Sequence, residues 1–381
     1  MSVAKALNID DLRRMARKRL PRMVFDYIDG GADDEATLAA NTQRFRDRQL
    51  TYNTLVDVSS INTCVSVLGM DLPLPFILAP TAAQRLFHPR HGELASARAA
   101  AHSGVAYSVS TVATQTVETI AEAYPGPKLF QVYVWRDRSL VEHVLERAKA
   151  AGYRALVLTV DLPVVGNRER DPRNGFTIPV KLTAQTLSQV AAKPRYLYEL
   201  WRGGPAKPAN FEGLGDRDVL ARTHNQFDPS VTWEYLSWLR KVWDGPLAIK
   251  GLSRADDAET ALKAGVDAVW ISNHGGRQLD TAPASIDTLS PIAAAVKGRA
   301  QIILDGGIRR GTDIIKALAL GADAVAVGRP YLYGLAAGGE AGVARAVEIL
   351  KTETERTLAL VGRPDIASLT PDLIFNASPS P

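Results

Sequence analysis

The chain has 381 residues, 46% hydrophobic and 23% charged, which is typical of a folded globular protein. Its net charge of +4 comes without long basic runs, which favours a small anionic ligand and argues against nucleic acid as the partner. No apolar stretch approaches the ~20 residues that span a bilayer, and residues 1–18 lack the apolar segment of a secretory signal, so we expect a cytoplasmic protein.

We interpret residues 1–381 as one domain. Residues 1–60 predict a helical preface outside the main body, residues 61–365 the body itself, and residues 366–381 a tail whose last six residues are disordered. The single cysteine, Cys64, excludes an intrachain disulfide, and we expect it to be a small buried hydrophobic residue.

A repeating unit of amphipathic helix, glycine, short turn and apolar strand runs along the body. Four of its helices are predicted to end before Gly104, Gly152, Gly265 and Gly321, because glycine adopts the left-handed conformation that follows many helices. The sequence Ser139-Leu-Val-Glu142 predicts a capping box at the start of another helix. The strands are continuous apolar runs, as expected of parallel strands buried on both faces.

Eight strands are predicted, and they alternate with helices. They begin near Phe76, Val105, Leu129, Ala155, Leu247, Ala268, Ile302 and Ala324. This pattern predicts an α/β fold, a closed (β/α)8 barrel of the TIM type with an N-terminal helical extension and a long insertion after the fourth strand. The alternative is an open doubly wound sheet, but such a sheet usually has a glycine-rich loop after its first strand, and here that position reads Ala79-Pro-Thr-Ala-Ala83.

The insertion covers residues 170–238 and is rich in Pro, Gly, Lys and Arg. Its middle, Lys193-Pro-Arg-Tyr-Leu-Tyr-Glu-Leu-Trp-Arg202, mixes basic and aromatic side chains. One hypothesis is a peripheral membrane contact through residues 180–210, on the inner face of the membrane, because such side chains favour an anionic lipid surface. The other is a mobile lid over the active site.

Polar residues or backbone-exposing glycines follow every predicted strand, where a barrel of this type builds its active site. After strands seven and eight, Gly306, Gly307 and Gly328 let backbone N–H groups approach an anion, and Arg309 and Arg329 add positive charge. These residues predict a phosphate site.

A second group of strand-end residues predicts proton transfer and carboxylate binding. His274 lies between an apolar strand and two glycines, which suits a general base, and Asp161 could stabilise the imidazolium that forms. Arg168 and Arg277 could hold a carboxylate through forked hydrogen bonds. Lys250 needs a negative partner at the barrel mouth, either an anionic ligand or a structural ion pair with Asp161 or Asp305. No cluster of metal-ligand spacing is present, so no metal is expected.

The chain resembles the FMN-dependent L-2-hydroxy acid oxidases and dehydrogenases, which include glycolate oxidase, L-lactate dehydrogenase and mandelate dehydrogenase. The resemblance extends from Leu20-Pro-Arg-Met-Val-Phe-Asp-Tyr27 to Ile366. Its most specific parts are Ser272-Asn-His-Gly-Gly-Arg-Gln-Leu-Asp280 and Leu304-Asp-Gly-Gly-Ile-Arg-Arg-Gly-Thr-Asp313. It implies FMN as cofactor and oxidation of an L-2-hydroxy acid to the 2-keto acid. The alternatives are another FMN- or phosphate-binding barrel, such as an isomerase, and a binding protein without catalytic activity.

The resemblance also implies residue roles. His274 would be the base with Asp161 as its partner, and Lys250 would stabilise the reduced flavin. The substrate carboxylate and hydroxyl would be held by Tyr27, Tyr133, Arg168 and Arg277. The flavin ring and ribityl chain would be lined by Thr81, Ala82, Ser110, Gln131, Thr159 and Ser272. The ribityl and phosphate groups would be held by Asp305, Gly307, Arg309, Gly328 and Arg329.

Three further expectations follow from the resemblance. Ala83, Val112 and Val165 would surround the substrate side chain, and their small size predicts a mandelate-like or lactate-like substrate rather than glycolate. The electron acceptor is open, because Ala82 favours oxygen, whereas the insertion is more similar to that of the membrane-associated dehydrogenases, which favours a quinone or other acceptor. The expected assembly is a homo-oligomer, a tetramer.

Overall fold

A computed structural model describes residues 2–177, 183–211 and 228–375 of the chain. Its strands are β1 (Gln49–Leu50), β2 (Val65–Val67), β3 (Met70–Leu72), β4 (Phe76–Leu78), β5 (Ala106–Ser110), β6 (Lys128–Tyr133), β7 (Ala155–Thr159), β8 (Leu247–Leu252), β9 (Ala268–Ile271), β10 (Gln301–Leu304), β11 (Ala324–Val327) and β12 (Ile374–Phe375). Strands β4 to β11 form a closed parallel barrel in which β4 pairs with β11. The predicted (β/α)8 class is confirmed, and each barrel strand begins within one residue of its predicted start.

Helices surround the barrel and form most of the preface. Those in the described residues are α1 (Ile9–Arg19), α2 (Arg22–Asp29), α3 (Ala36–Asp47), α4 (Gly92–Ser103), α5 (Val117–Ala123), α6 (Arg138–Ala150), α7 (Arg170–Arg173), α8 (Ala184–Ala191), α9 (Pro194–Gly203), α10 (Trp233–Val242), α11 (Ala255–Lys263), α12 (Ser285–Val296), α13 (Gly311–Ala319), α14 (Arg329–Gly338) and α15 (Glu340–Val361). The four repeat glycines all have positive φ, as predicted, with values of 68° to 106°. No helix in the described residues is both long enough and apolar enough to span a membrane.

Two local predictions were wrong. Helix α6 is capped by Asp137, whose carboxylate accepts hydrogen bonds from the backbone N–H groups of Ser139 and Leu140, so Ser139 lies inside the helix. Cys64 is exposed rather than buried. Its backbone N–H donates to the Asn62 side chain 3.0 Å away, in a turn just before β2.

The hairpin of β2 and β3 closes the N-terminal end of the barrel. Its apolar side chains Val67, Leu68, Met70 and Leu72 pack with the residues that fill the barrel interior. Because this end is sealed, the opposite end, where the strands terminate, is the one that can admit a ligand.

The preface and the end of the chain wrap around the barrel together. Strand β1 pairs antiparallel with β12, so residues 366–375 of the predicted tail fold back against the preface. The last six residues lie outside the described part of the chain, and the domain boundaries stay predictions. Helices α1 and α2 contribute Leu12, Met23 and Ile28 to the main core.

The described part of the insertion is helical and docked. The buried ring of Tyr196, on α9, donates a hydrogen bond from its hydroxyl to the Leu86 carbonyl 2.9 Å away. Farther along, the buried Asn210 side chain accepts from the Val117 backbone N–H and donates to the Thr111 carbonyl, both at 3.0 Å. The insertion is therefore attached to the loops beyond the first two barrel strands.

Candidate active site

A cavity of about 250 Å³ lies at the C-terminal end of the barrel. The strand register sets a row of side chains along its wall, because Tyr133 pairs with Thr159 and Thr159 pairs with Lys250 on adjacent strands. All the predicted site residues line the cavity except Ser110, Asp161 and Ser272, which are largely buried behind its wall.

His274 and Asp161 form a bonded pair at this cavity. The Nδ1 atom of His274 lies 2.9 Å from Asp161 Oδ1, which leaves Nε2 to accept a proton when Nδ1 carries the hydrogen. Burial favours a raised pKa for Asp161, but the charges of His274 and Lys250 outweigh it and lower that pKa. Gly251, with φ +110°, leaves room for the Asp161 side chain beside His274, because a Cβ at position 251 would lie 2.7 Å from it.

Two arginines and two tyrosines form a second group. The guanidinium carbons of Arg168 and Arg277 lie 5.4 and 4.8 Å from the centre of the Tyr27 ring. Burial, followed by repulsion from Arg168, lowers the pKa of Arg277, and the more distant Asp171 only partly opposes this. Burial and Asp161 raise the pKa of Tyr133, so its hydroxyl is protonated at neutral pH. The group can bind a carboxylate.

Arg277 is attached to the preface. It donates from Nη1 to the carbonyls of Tyr27 and Gly30 at the end of α2, while Gln278 holds the β7 loop by donating to the carbonyls of Asp161 and Val164. The structure thus brings Arg168 and Arg277 together by joining the loops that carry them.

Lys250 is buried in a network with Ser272 and Asp305. Its ammonium lies 3.0 Å from Asp305 Oδ2 and donates to Ser272 Oγ at 2.7 Å, and the Ser272 hydroxyl donates to Asp305. The structural ion pair with Asp305 is present, and the ammonium still lines the cavity.

The loops after β10 and β11 carry two arginines, Arg309 and Arg329, that form no ion pair with a carboxylate of the described residues. Arg329 donates to the carbonyls of Ile28, Gly30 and Gly275, and burial lowers its pKa to about 10. Arg309 lines the same end of the cavity, and among the described residues its side chain donates only to the neighbouring Ile308 carbonyl. A Cβ at Gly328 would meet only Thr81, at 4.0 Å, so this backbone faces open space at the start of α14. The arrangement suits a phosphate.

Several lining residues were not predicted from the sequence. Ala83, Val112 and Val165 do line the cavity, as expected, but so do Leu86, Phe87, Leu162, Ala206, Pro208 and Leu332. Ala206 and Pro208 come from the insertion, whose path over the barrel no local pattern indicates. Phe176, also from the insertion, does not line the cavity and packs on the Tyr27 ring, with 4.6 Å between ring centres.

Residues 16–376 match the family model described as FMN-dependent dehydrogenase. The chain belongs to this family. It is 44% identical to a putative L-lactate dehydrogenase of Mycobacterium tuberculosis, over 96% of this chain and 88% of that protein. It is also 44% identical to an L-lactate oxidase of Nostoc, over 95% and 96% of the two chains. Among solved structures, the monotopic membrane protein (S)-mandelate dehydrogenase aligns with a TM-score of 0.94 and 40% identity, covering 98% of this chain and 100% of that one. A mandelate oxidase aligns with a TM-score of 0.83 and 38% identity, over 96% and 97%.

FMN is the cofactor of this family, and the cavity fits it. The side chain of Ser110 donates to Gln131 Oε1, and Gln131 Nε2 donates to Thr159, both at 3.0 Å, which fixes an ordered row of polar groups. Within the described residues, the backbone N–H groups of Thr81 and Ala82 have no acceptor, although both residues line the cavity. Unpaired N–H donors suit the polar edge of the flavin ring, and buried cations suit the FMN phosphate.

We predict that Arg309→Met weakens FMN binding by at least about tenfold but leaves riboflavin binding unchanged. Riboflavin lacks the phosphate, and a hydrogen bond to a charged group contributes roughly 1.5–3 kcal/mol. Titration of the apoprotein with each flavin measures both affinities. Arg310→Met is the matched control, because Arg310 is exposed and paired with Glu353 at 2.8 Å. An equal loss for both flavins would contradict a phosphate role for Arg309.

Proposed function

We propose that this FMN-dependent enzyme oxidises (S)-2-hydroxy acids larger than glycolate to 2-keto acids. The observation that carries the proposal is one cavity lined by His274, which is hydrogen-bonded to Asp161 behind the wall, and by both Arg168 and Arg277. The first pair can take a proton, and the second can bind the carboxylate next to the hydroxyl that loses it.

His274 Nε2 takes a proton from the bound hydroxy acid, and the ionised Asp161 stabilises the imidazolium through Nδ1. Arg168 and Arg277 hold the carboxylate, and the hydroxyls of Tyr27 and Tyr133 orient the substrate oxygen atoms. FMN, when bound, supplies the two-electron acceptor. Lys250, held in place by Asp305, lines the cavity and would stabilise negative charge on the flavin when FMN is bound and reduced.

The substrate preference follows from the apolar wall. Ala83, Val112 and Val165 are small, and Leu86 and Leu162 complete an apolar surface around the space they leave. A ligand gains about 0.8 kcal/mol for each CH₂ it buries, so a branched or aromatic side chain binds better than none. The structural neighbours named mandelate dehydrogenase and mandelate oxidase agree with this preference.

Helix α9 is the surface that we propose docks on an anionic membrane. Its outward side exposes Leu197, Tyr198 and Trp201, the last to 75%, whereas Tyr196 faces the barrel. The basic residues Lys193, Arg195 and Arg202 lie on the same short helix or at its start. Each basic side chain near an anionic surface contributes about 1 kcal/mol. The monotopic neighbour supports this surface, while Ala206 and Pro208 in the cavity wall support the alternative, a lid.

We further propose a homo-oligomer, a tetramer. Tyr52, Leu360 and Phe375 are exposed apolar residues on neighbouring backbone segments, joined by the hydrogen bond from Asn53 N to the Val361 carbonyl and by the β1–β12 pairing. Clustered exposed apolar side chains favour association with another protein surface. Sedimentation equilibrium measures the assembly, and a concentration-independent monomer would contradict it.

The function itself predicts bleaching of the enzyme-bound FMN by mandelate or lactate under anaerobic conditions. An uncharged ester of the same acid should reduce the flavin far more slowly, because it gives the two arginines no carboxylate. Stopped-flow absorbance measures both rates, and readmitting oxygen or a dye then identifies the acceptor. Equal rates with acid and ester would contradict the arginine clamp.

For His274→Ala, we expect normal FMN affinity and flavin reduction at least ~100-fold slower, since general-base catalysis contributes about 10²–10⁴-fold. Rapid-reaction absorbance at saturating substrate is the measurement. Near-normal reduction in this variant would remove His274 from the mechanism.

Filling the cavity should reverse the size preference. Val112→Trp should shift the ratio of kcat/KM for mandelate over glycolate toward glycolate by about tenfold or more, within the range that apolar pockets achieve. Val164→Trp is the control, because Val164 is exposed and lies outside the cavity wall. A wild-type enzyme that already prefers glycolate over lactate and mandelate would refute the argument from pocket size.

Membrane docking predicts co-sedimentation with anionic vesicles at low salt. Trp201→Ser should weaken partitioning by about tenfold, because burying a large apolar side chain contributes roughly 1.5–3 kcal/mol. Trp233→Ser, on α10, should leave it unchanged. If the wild-type protein stays wholly in the supernatant, membrane docking is contradicted, and the lid remains as the interpretation of the insertion.

A further inference from the structure

Gln84 is a buried amide directly behind the cavity wall. It begins the short turn Gln84–Leu86, immediately after the cavity-lining residues Ala82 and Ala83, but its own side chain does not line the cavity. Gln84 has no role in the proposed chemistry, yet both the nitrogen and the oxygen of its side-chain amide are hydrogen-bonded.

The hydrogens in this network can be assigned one by one. Tyr331 donates its single hydroxyl hydrogen to the Ala79 carbonyl at 2.9 Å, so the Thr81 hydroxyl, which is hydrogen-bonded to Tyr331, must be the donor of that bond. The Gln84 amide nitrogen lies 3.0 Å from Thr81 Oγ1, 2.8 Å from the Tyr107 hydroxyl and 3.1 Å from the Tyr331 hydroxyl, so its two hydrogens are shared among three acceptors. Its carbonyl oxygen accepts from Ser96 at 2.7 Å.

This assignment determines what the segment offers the flavin. The Thr81 hydroxyl hydrogen is used within the protein, so it cannot be donated to a ligand. The hydrogens that remain available in Pro80–Ala82 are the backbone N–H groups of Thr81 and Ala82, which have no acceptor among the described residues. Their direction depends on how the backbone of this segment is held.

The backbone here is strained and therefore needs to be held. Ala83 has φ 51° and ψ 50°, a left-handed conformation that residues with a Cβ rarely adopt. The next residue, Gln84, donates its backbone N–H to the buried carboxylate of Glu93 at 3.0 Å. The same carboxylate oxygen accepts from the Thr114 backbone N–H at 2.9 Å, which joins the loops after β4 and β5. Burial raises the pKa of Glu93, and its hydrogen-bond partners in the described residues are Gln84 and Thr114, not a basic side chain.

We propose that Gln84 is a positioning residue that aims the backbone N–H groups of Thr81 and Ala82 at the flavin, acting through Thr81 and Tyr331. This proposal rests on the FMN site described above and does not depend on which hydroxy acid is the substrate. Gln84 does not touch the cofactor. It fixes the Thr81 side chain from behind, while Glu93 fixes the Gln84 backbone, so the segment has one conformation on both sides of the strained Ala83.

The test compares three variants. Gln84→Glu keeps the shape and the bond from Ser96 but lacks the two amide hydrogens, so it cannot donate to both Thr81 and Tyr107. Tyr331→Phe removes the acceptor of the Thr81 hydrogen, one of the acceptors of the Gln84 amide and the donor to the Ala79 carbonyl, while leaving the Gln84 side chain itself in place. Ser96→Ala, the matched control, removes the bond on the opposite side of the Gln84 amide. FMN affinity of the apoprotein, the visible absorbance of the bound flavin and the melting temperature are measured for each.

We expect Gln84→Glu and Tyr331→Phe to weaken FMN binding by about tenfold or more and to shift the flavin absorbance, since each removes a hydrogen bond that holds the Thr81 hydroxyl. Ser96→Ala should change FMN affinity less than about threefold, whatever its melting temperature, because it leaves the bonds to Thr81 intact. If Gln84→Glu does not fold, Tyr331→Phe carries the test alone.

Wild-type affinity and absorbance in a folded Gln84→Glu or Tyr331→Phe variant would overturn the proposal. So would losses of affinity in all three variants that simply follow their melting temperatures. None of these readouts uses a hydroxy acid, so failure of the proposed substrate would leave this result interpretable.

Discussion

The site depends on two buried arginines whose side-chain hydrogen bonds, within the described residues, go to backbone carbonyls instead of carboxylates. Arg277 and Arg329 both donate to the carbonyls at the end of α2, at Tyr27, Ile28 and Gly30. The C-terminal end of a helix carries partial negative charge, which stabilises these cations without neutralising them. Their lowered pKa values express the remaining cost of burial. An anion that binds near these arginines reduces that cost, so the cavity is suited to bind a phosphate and a carboxylate.

This arrangement makes the preface part of the active site. Helix α2 carries Tyr27 and presents the carbonyls, and its last residue, Asp29, is anchored by Arg13 at 2.6 Å and by the Tyr333 hydroxyl at 2.8 Å. Burial opposes ionisation of Asp29, but Arg13 and Tyr333 outweigh it and lower its pKa. The carboxylate therefore connects α1 and α14 to α2. One helix end then joins the predicted substrate region, through Arg277, to the predicted phosphate region, through Arg329.

The barrel could be predicted from the sequence because its signals are local. Each repeat of helix, glycine and buried strand lies within about twenty residues of sequence. Once the barrel closes, the C-terminal ends of all its strands lie at the same end of the barrel. His274, Asp161, Lys250 and the arginines were accessible to that argument. Tyr27 was not, and only the family resemblance indicated it, because its position depends on hydrogen bonds to residues about 250 positions away.

Smaller errors have the same kind of cause. Asp137 and Ser139 are both good capping residues, and the choice between them depended on where α6 begins. Cys64 was expected in the core from its residue type, but its place in the chain puts it in a turn at the closed end of the barrel. Ala206 and Pro208 reach the cavity because distant contacts direct the insertion there.

Those contacts also bear on how the insertion works. Around Pro208, the Ala209 N–H donates to the Ala113 carbonyl at 2.9 Å, and Asn210 is bonded to Thr111, to Val117 and to Arg147. At the other end of the segment, Arg85 holds the carbonyls of Gly203 and Gly204, where α9 ends. A lid that opened by moving residues 203–211 would break all of these bonds, each worth about 0.5–1.5 kcal/mol net. The segment is therefore better suited to be a fixed wall of the cavity, and the exposed side of α9 is carried on a rigid support, which is what a docking surface requires.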